Sequence, residues 1–305
     1  MDPVLATAVF LFGLAFGSFL NVCIHRIPRD LSVVTPGSAC PQCQEPIRAY
    51  DNIPVASWLL LRGRCRHCGA RISPRYIVVE LLTALLFLAC YAEFGPTLLA
   101  LKLCIFSFLV VGLIFTDAEW KLLPDLFTLP GLVIGLIFSL LTPLNDVVTL
   151  FLPGLVNVQA SWWRLLSLAD ALLGSAVGAS FFYGIAALYL HARGREGMGL
   201  GDVKLMAMVG AFLGVRPTVL TIFGASLVGS LFGVGTILAV WVKRTRRRMA
   251  RNRESAAAAR RRAWQSARMV YRYYEMPFGV FLGAMAMAAA FFGQALLRWY
   301  WGLYS

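Results

Sequence analysis

A chain of 305 residues with 59% hydrophobic and only 14% charged residues, and a mean hydropathy of +0.72, is not an ordinary soluble domain. Its formal charge of +13 is gathered in a few blocks. That pattern orients a membrane protein by the positive-inside rule and does not point to nucleic-acid binding.

Apolar segments of helix-spanning length predict an all-α polytopic membrane protein. About eight transmembrane helices are expected, at 4–24, 77–92, 97–116, 126–142, 164–190, 203–215, 218–242 and 277–297. The sixth is short and adjoins a glycine-rich stretch. No small-residue cleavage site marks the first segment as a signal peptide, so it is expected to stay as an anchor. Basic residues cluster in 25–75, 191–204 and 243–275, while 93–97, 143–163 and 215–217 carry few. The N-terminus is therefore expected outside, with the basic loops in the cytoplasm.

The first segment carries Gly13, Gly17 and Ser18, small residues suited to close helix packing in a bilayer, then Asn21 and an interfacial Arg26. Residues 29–75 contain Cys40-Pro41-Gln42-Cys43 and Cys65-Arg66-His67-Cys68, the spacing of a four-thiolate zinc ribbon. A reducing cytoplasm keeps such thiols free of disulfides. The competing reading, two redox C-x-x-C turns, lacks a thioredoxin-like βαβ context. His67 reads as a bystander, and zinc would staple a block too small for much core. Cys23, Cys90 and Cys104 read as buried small hydrophobes. Glu80 enters the second span by about one turn and is expected to snorkel or to meet Arg26 or Arg75.

The third span ends in Thr116-Asp117-Ala118-Glu119, and Pro124-Asp125 opens the fourth. Asp117 and Glu119 lie about 200° apart around a helix, so they cannot share one partner. Asp125 reads as a helix cap and Asp170 as interfacial. Further on, Gly197, Gly199 and Gly201 precede Asp202, with Lys204 two residues later. Alternate glycines are poor helix material and admit close backbone approach. Asp117 and Asp202 both fall at cytoplasmic ends of their segments, where an ionisable residue suggests a site. Two neighbouring carboxylates share a proton, one activating water while the other polarises a carbonyl. Aspartyl peptide hydrolysis fits that pair. A transporter or scaffold with acidic ion ligands and a zinc ribbon remains the alternative, and Lys204 either biases the pair or snorkels.

The sequence resembles the bacterial prepilin peptidases, the type IV leader peptidases of the GxGD intramembrane aspartyl class. The resemblance is carried by Gly17-Ser18-Phe19-Leu20-Asn21 with Arg26 and Pro28, both C-x-x-C pairs, and Asp51-Asn52-Ile53-Pro54 with Ser57-Trp58-Leu59. It continues through Ile72-Ser73, Arg75-Tyr76 and Glu80, Asp117 with Leu123-Pro124-Asp125, the Gly197–Lys204 stretch, and Pro277-Phe278-Gly279. It implies a bifunctional enzyme of the bacterial inner membrane. Such enzymes cut the basic leader of type IV prepilins or type II secretion pseudopilins at the cytoplasmic face, then methylate the new N-terminus from S-adenosylmethionine. Asp117 and Asp202 match the catalytic pair, with Gly197, Gly199, Gly201 and Lys204 as supporting residues. Cys40, Cys43, Cys65 and Cys68 match the zinc ligands of methylating members. Asp51, Asn52, Pro54, Gly63 and Glu80 form the candidate methyl-transfer region. A relative that cleaves without methylating is a further alternative.

Three departures stand out: Glu119 where Asp is usual, Val280 where Pro often follows Phe-Gly, and the insertion 243–275 with twelve Lys or Arg. The insertion predicts an exposed basic helix that sets topology and touches anionic headgroups. It carries no motif for reading nucleic acid, while docking of a pilus or secretion assembly protein stays open. The expected organisation is a first span (1–28), a tetracysteine domain (29–75), the peptidase core (76–242), the basic insertion (243–275) and a last span (276–305).

Overall fold

The computed structural model describes residues 2–143, 162–194, 199–252, 255–272 and 276–302. The expected outer loop 143–163 and Gly197 fall almost wholly outside these residues. Helix α1 (Pro3–Arg26) starts at Asp2, whose carboxylate accepts the Val4 N–H at 2.8 Å, with proline at the first helical position. After the cytoplasmic block with its short α2 (Ala56–Leu60) come α3 (Arg75–Phe94), α4 (Leu98–Trp120), α5 (Asp125–Leu141) and α6 (Trp163–Arg193). The chain ends in α7 (Leu200–Leu213), α8 (Val215–Asn252), α9 (Ala256–Arg272) and α10 (Phe278–Gly302).

All eight expected segments are helical. Among the described residues five helices are long and apolar enough to cross a membrane: Pro3–Arg29, Arg75–Phe94, Leu98–Trp120, Trp163–Arg193 and Val215–Ala250. The two outer members of the remaining set, Asp125–Leu141 and Phe278–Gly293, are shorter apolar helices. The short sixth segment, α7, runs 14 residues, or about 21 Å. Its length is tolerated because it hardly meets lipid: Leu205, Met206, Met208, Val209, Ala211 and Phe212 are all buried. Helix α4 is the hub, burying Leu103, Phe106, Val110 and Leu113.

Small residues set the closest crossings. A Cβ on Gly17 of α1 would lie 2.6 Å from Glu80 Cα of α3, and one on Gly174 of α6 would lie 2.8 Å from the Gly210 carbonyl of α7. Of the apolar-run cysteines, Cys23 and Cys90 are buried and Cys104 is half-buried.

Two expectations are corrected. Asp170 is not interfacial: it is 1% exposed, accepts the Val215 N–H at 3.3 Å at the α7–α8 elbow, and lies within reach of the charge of buried Lys102 on α4. A helix-start N–H and a cation together permit that burial. The basic insertion is not one separate helix either. Its first ten residues continue α8, which at 38 residues, about 57 Å, outruns the bilayer. Helix α9 then packs back through the i, i+4 row of Ala259, Ala263 and Ala267, and Trp241 Nε1 donates to the Arg260 carbonyl at 3.1 Å.

Candidate active site

Four helix ends meet around Asp117. Helix α4 stops one turn beyond it, at Lys121 in the left-handed conformation (φ 53°), whose N–H donates to the Asp117 carbonyl at 2.9 Å. The chain then passes through Leu122 and buried Leu123 to Pro124, which opens α5. Asp117 itself is 6% exposed. Its Oδ2 accepts the Val280 N–H at 3.0 Å, and the Gly279 N–H also donates to it, so the first turn of α10 holds the carboxylate. Gly279 is needed there: a Cβ would lie 2.9 Å from Asp117 Oδ2. Proline cannot donate, so the departure at Val280 is what supplies one of these donors.

Asp202 stands in the first turn of α7, with Gly199 as N-cap in extended geometry (φ −72°, ψ 148°). Gly201, beside Asp202, and Gly279, against Asp117, both pack on Leu123, which brings the two carboxylates to one site, within electrostatic reach of each other. Gly201 is helical, and its missing side chain makes room for Leu123, 2.9 Å from where a Cβ would sit. It therefore serves packing under the aspartates and offers no extended edge. Lys204 is not poised over the pair, nor does it snorkel. Its Nζ donates to both oxygens of Asp125 at 2.7 and 2.8 Å, tying α7 to α5. Asp125 makes no side-chain capping bond; it sits in the first turn of α5 and pairs with that lysine.

The tetracysteine block consists of two matching knuckles. Cys40 N–H donates to Glu45 and Gln44 N–H to Cys40; Cys65 N–H donates to Ala70 and Gly69 N–H to Cys65. The residue after each pair, Gln44 (φ 59°) or Gly69 (φ 70°), is left-handed. All four sulfurs lie within 4.8 Å of one another, with Cys40 and Cys68 at 3.9 Å. Tetrahedral zinc with bonds of about 2.3 Å requires sulfurs roughly 3.8 Å apart, so the set fits the ion. The Cys43 backbone N–H holds the Cys40 thiol down to about 7, while the neighbouring sulfurs push the Cys43 thiol up, as expected of four crowded thiols. His67 is exposed and outside the cluster.

Between this block and the ends of α1, α3 and α4 lies a cleft of about 1000 Å³. Asp51, Asn52 and Glu80 line it, as do Asn21, Arg75 and Glu119, whereas Pro54 and Gly63 are not in its wall. Gly63 (φ 65°) instead leaves room for Trp58, 2.6 Å from a would-be Cβ. Arg75 pairs with Glu119, and Arg26 donates to the Ser32 and Gly37 carbonyls, so neither meets Glu80 as expected. Glu80 accepts the Val55 N–H at 2.7 Å and the Ser18 hydroxyl. Asn21 Nδ2 donates to the Tyr76 carbonyl at 3.0 Å. Two buried polar atoms in the wall, Asn21 Oδ1 and Arg75 Nε, have no partner among the described residues.

Val55 is backbone-strained. Its φ of 62° and ψ of −51°, with Ala56 N–H donating to the Pro54 carbonyl at 2.6 Å, make a three-residue turn that β-branched residues avoid. Such a residue costs on the order of 1–3 kcal/mol. This turn has no local sequence signal, and the Pro277-Phe278-Gly279 run is the one pointer to the α10 cradle.

Residues 11–94 match the bacterial peptidase A24 N-terminal domain, and residues 103–234 match the type IV leader peptidase family. A prepilin leader peptidase/N-methyltransferase of Aeromonas hydrophila is 35% identical over 96% of this chain and 92% of its own length. Similarly named proteins of Myxococcus xanthus (40% identical, 78% and 64% covered) and Neisseria gonorrhoeae (36%, 75% and 81%) also match. No solved structure matches. The chain belongs to the type IV leader peptidase family.

Proposed function

We propose that the protein is a bifunctional inner-membrane enzyme that removes the leader of type IV prepilins or type II secretion pseudopilins and methylates the new N-terminus. The observation that carries this reading is the pair of buried Asp117 and half-buried Asp202 at meeting helix ends, with a roomy cleft beside it on the same end of the bundle. The contacts Glu80–Val55, Arg75–Glu119, Asp117–Val280 and Lys204–Asp125 link that end together. Together with the basic loops, they support a cytoplasmic face for both chemistries, with N- and C-termini outside.

A prepilin presents an apolar helix in the bilayer and a basic leader in the cytoplasm, so its scissile bond arrives at this edge. The ionised member of the aspartate pair takes a proton from water as it attacks the carbonyl, and the protonated member hydrogen-bonds the carbonyl oxygen. The Gly279 and Val280 N–H groups keep the Asp117 carboxylate oriented, and the Lys204–Asp125 pair keeps α7, and with it Asp202, in register with α5. Partners are the substrate helix, the bilayer and, through the basic α8–α9 region, a pilus or secretion assembly protein.

Zinc bound by Cys40, Cys43, Cys65 and Cys68 staples the cytoplasmic block and takes no part in hydrolysis. S-adenosylmethionine supplies the methyl group, and the cleft suits it in size and in its unspent polar atoms. The Arg75 Nε–H is free to meet the carboxylate of the methionine moiety, and Asn21 Oδ1 to accept from an ammonium or hydroxyl. Asp51 and Asn52 complete the wall. The test is incubation of the purified protein with a prepilin peptide, with and without S-adenosylmethionine, followed by product mass. Cleavage alone without the donor, and cleavage plus one methyl group with it, is the expected result; an uncut peptide in both arms rejects the reading.

A further inference from the structure

We propose that Glu80 is a positioning residue for methyl transfer: from inside the end of α3 it holds the strained turn at Val55, and that turn sets the wall of the cleft. This rests on the assignment of methyl transfer to the cleft. Glu80 is 7% exposed in a membrane-spanning helix, a costly place for a carboxylate. Its partners are a backbone N–H and the Ser18 hydroxyl instead of a cation. Its carboxyl oxygens are therefore spent on holding a piece of main chain.

The piece it holds is clamped at both ends. At one end Asp51 takes a forked bond from Arg66, inside the second cysteine knuckle, at 2.6 to 3.1 Å. That guanidinium holds the Asp51 carboxyl below its usual range. In the middle, Ser57 Oγ accepts the Ile53 N–H at 3.0 Å and donates to the Tyr50 carbonyl at 2.9 Å. At the other end the Val55 N–H is fixed by Glu80 at 2.7 Å. Without an acceptor there, a β-branched residue at φ 62° returns to negative φ, swinging the 51–54 segment and the cleft wall it forms. The clamp thus runs from zinc knuckle to membrane helix. It gives the metal a route to the cleft that bypasses the aspartate pair.

The test compares Glu80→Leu, Glu80→Gln and the double variant Glu80→Leu/Val55→Gly, each assayed for cleavage, methylation and hydrogen exchange across 50–58. Losing the acceptor should lower methylation about tenfold or more and speed exchange similarly, with cleavage within about twofold. Glutamine keeps an acceptor oxygen and should stay near wild type in all three. Glycine at 55 adopts the turn without strain, so the double variant should recover much of the methylation. Normal methylation and exchange in Glu80→Leu overturns the proposal. So does equal loss of both activities, which makes Glu80 a packing residue, and so does failure of Val55→Gly to rescue, which makes Glu80 a direct contact of the ligand. A wild-type enzyme that cleaves but never methylates overturns the bifunctional reading first, and this inference with it.

Discussion

The aspartate edge and the tetracysteine block lie side by side but are built on different physics. The edge is four helix ends wedged by absent side chains, with Gly201 and Gly279 flanking Leu123 under buried Asp117 and half-buried Asp202. Its order comes from packing across most of the bundle. The block has short turns, a five-residue helix and few large buried side chains, and what orders it is a cluster of four thiols suited to a metal and a handful of named bonds. A region held by packing tolerates loss of a surface tie, whereas a stapled one does not. The two activities should therefore separate under mutation.

The largest effect is expected at the edge. Asp117→Asn or Asp202→Asn should each reduce cleavage on the order of 10²–10⁴-fold while zinc content and thermal unfolding stay unchanged. A variant pair that keeps wild-type cleavage would break the comparison at its root. Next comes Cys65→Ser. Three remaining ligands should not hold the ion, so zinc and most methylation should be lost, with cleavage reduced only a few-fold, as read by metal content beside product mass. If methylation survives the loss of zinc, the clamp from knuckle to cleft has no role.

A sharper probe of the packed edge is Gly279→Ala. The added carbon meets the Asp117 carboxylate, so cleavage should fall about tenfold or more. Gly184→Ala on α6, where nothing lies within 4 Å, should leave it unchanged and stabilise the helix by about 0.5–1 kcal/mol. The smallest effect is expected from Asp125→Asn. Its pair with Lys204 is half in solvent, with side chains 56% and 35% exposed, and is worth about 0–1 kcal/mol. Cleavage should drop no more than a few-fold in a steady-state assay.

How much of this was legible in sequence follows the same division. Apolar length gave the helices, and the C-x-x-C spacing gave the cluster of four cysteines, because both are written locally. The two aspartates were legible because each stands where an apolar run ends. Contacts between distant segments were not. The Val280 N–H reaches Asp117 across 163 positions, and Lys204 reaches Asp125 across 79. Lys204 looked uncommitted, and Glu80 looked in need of a cation, because nothing local names a partner. The turn at Val55 was hidden more deeply. A β-branched residue carries the opposite local preference, and only the buried acceptor on α3 explains it.

The central claim is that one chain carries two chemistries in two separable regions, with cleavage belonging to Asp117 and Asp202. It is tested most directly by product masses from one prepilin peptide treated with S-adenosylmethionine and wild-type, Asp202→Asn or Cys65→Ser enzyme. The expected result is cleaved and methylated peptide, uncut peptide, and cleaved but unmethylated peptide, respectively. Cleaved peptide from Asp202→Asn, or uncut peptide from a folded Cys65→Ser enzyme, would contradict it.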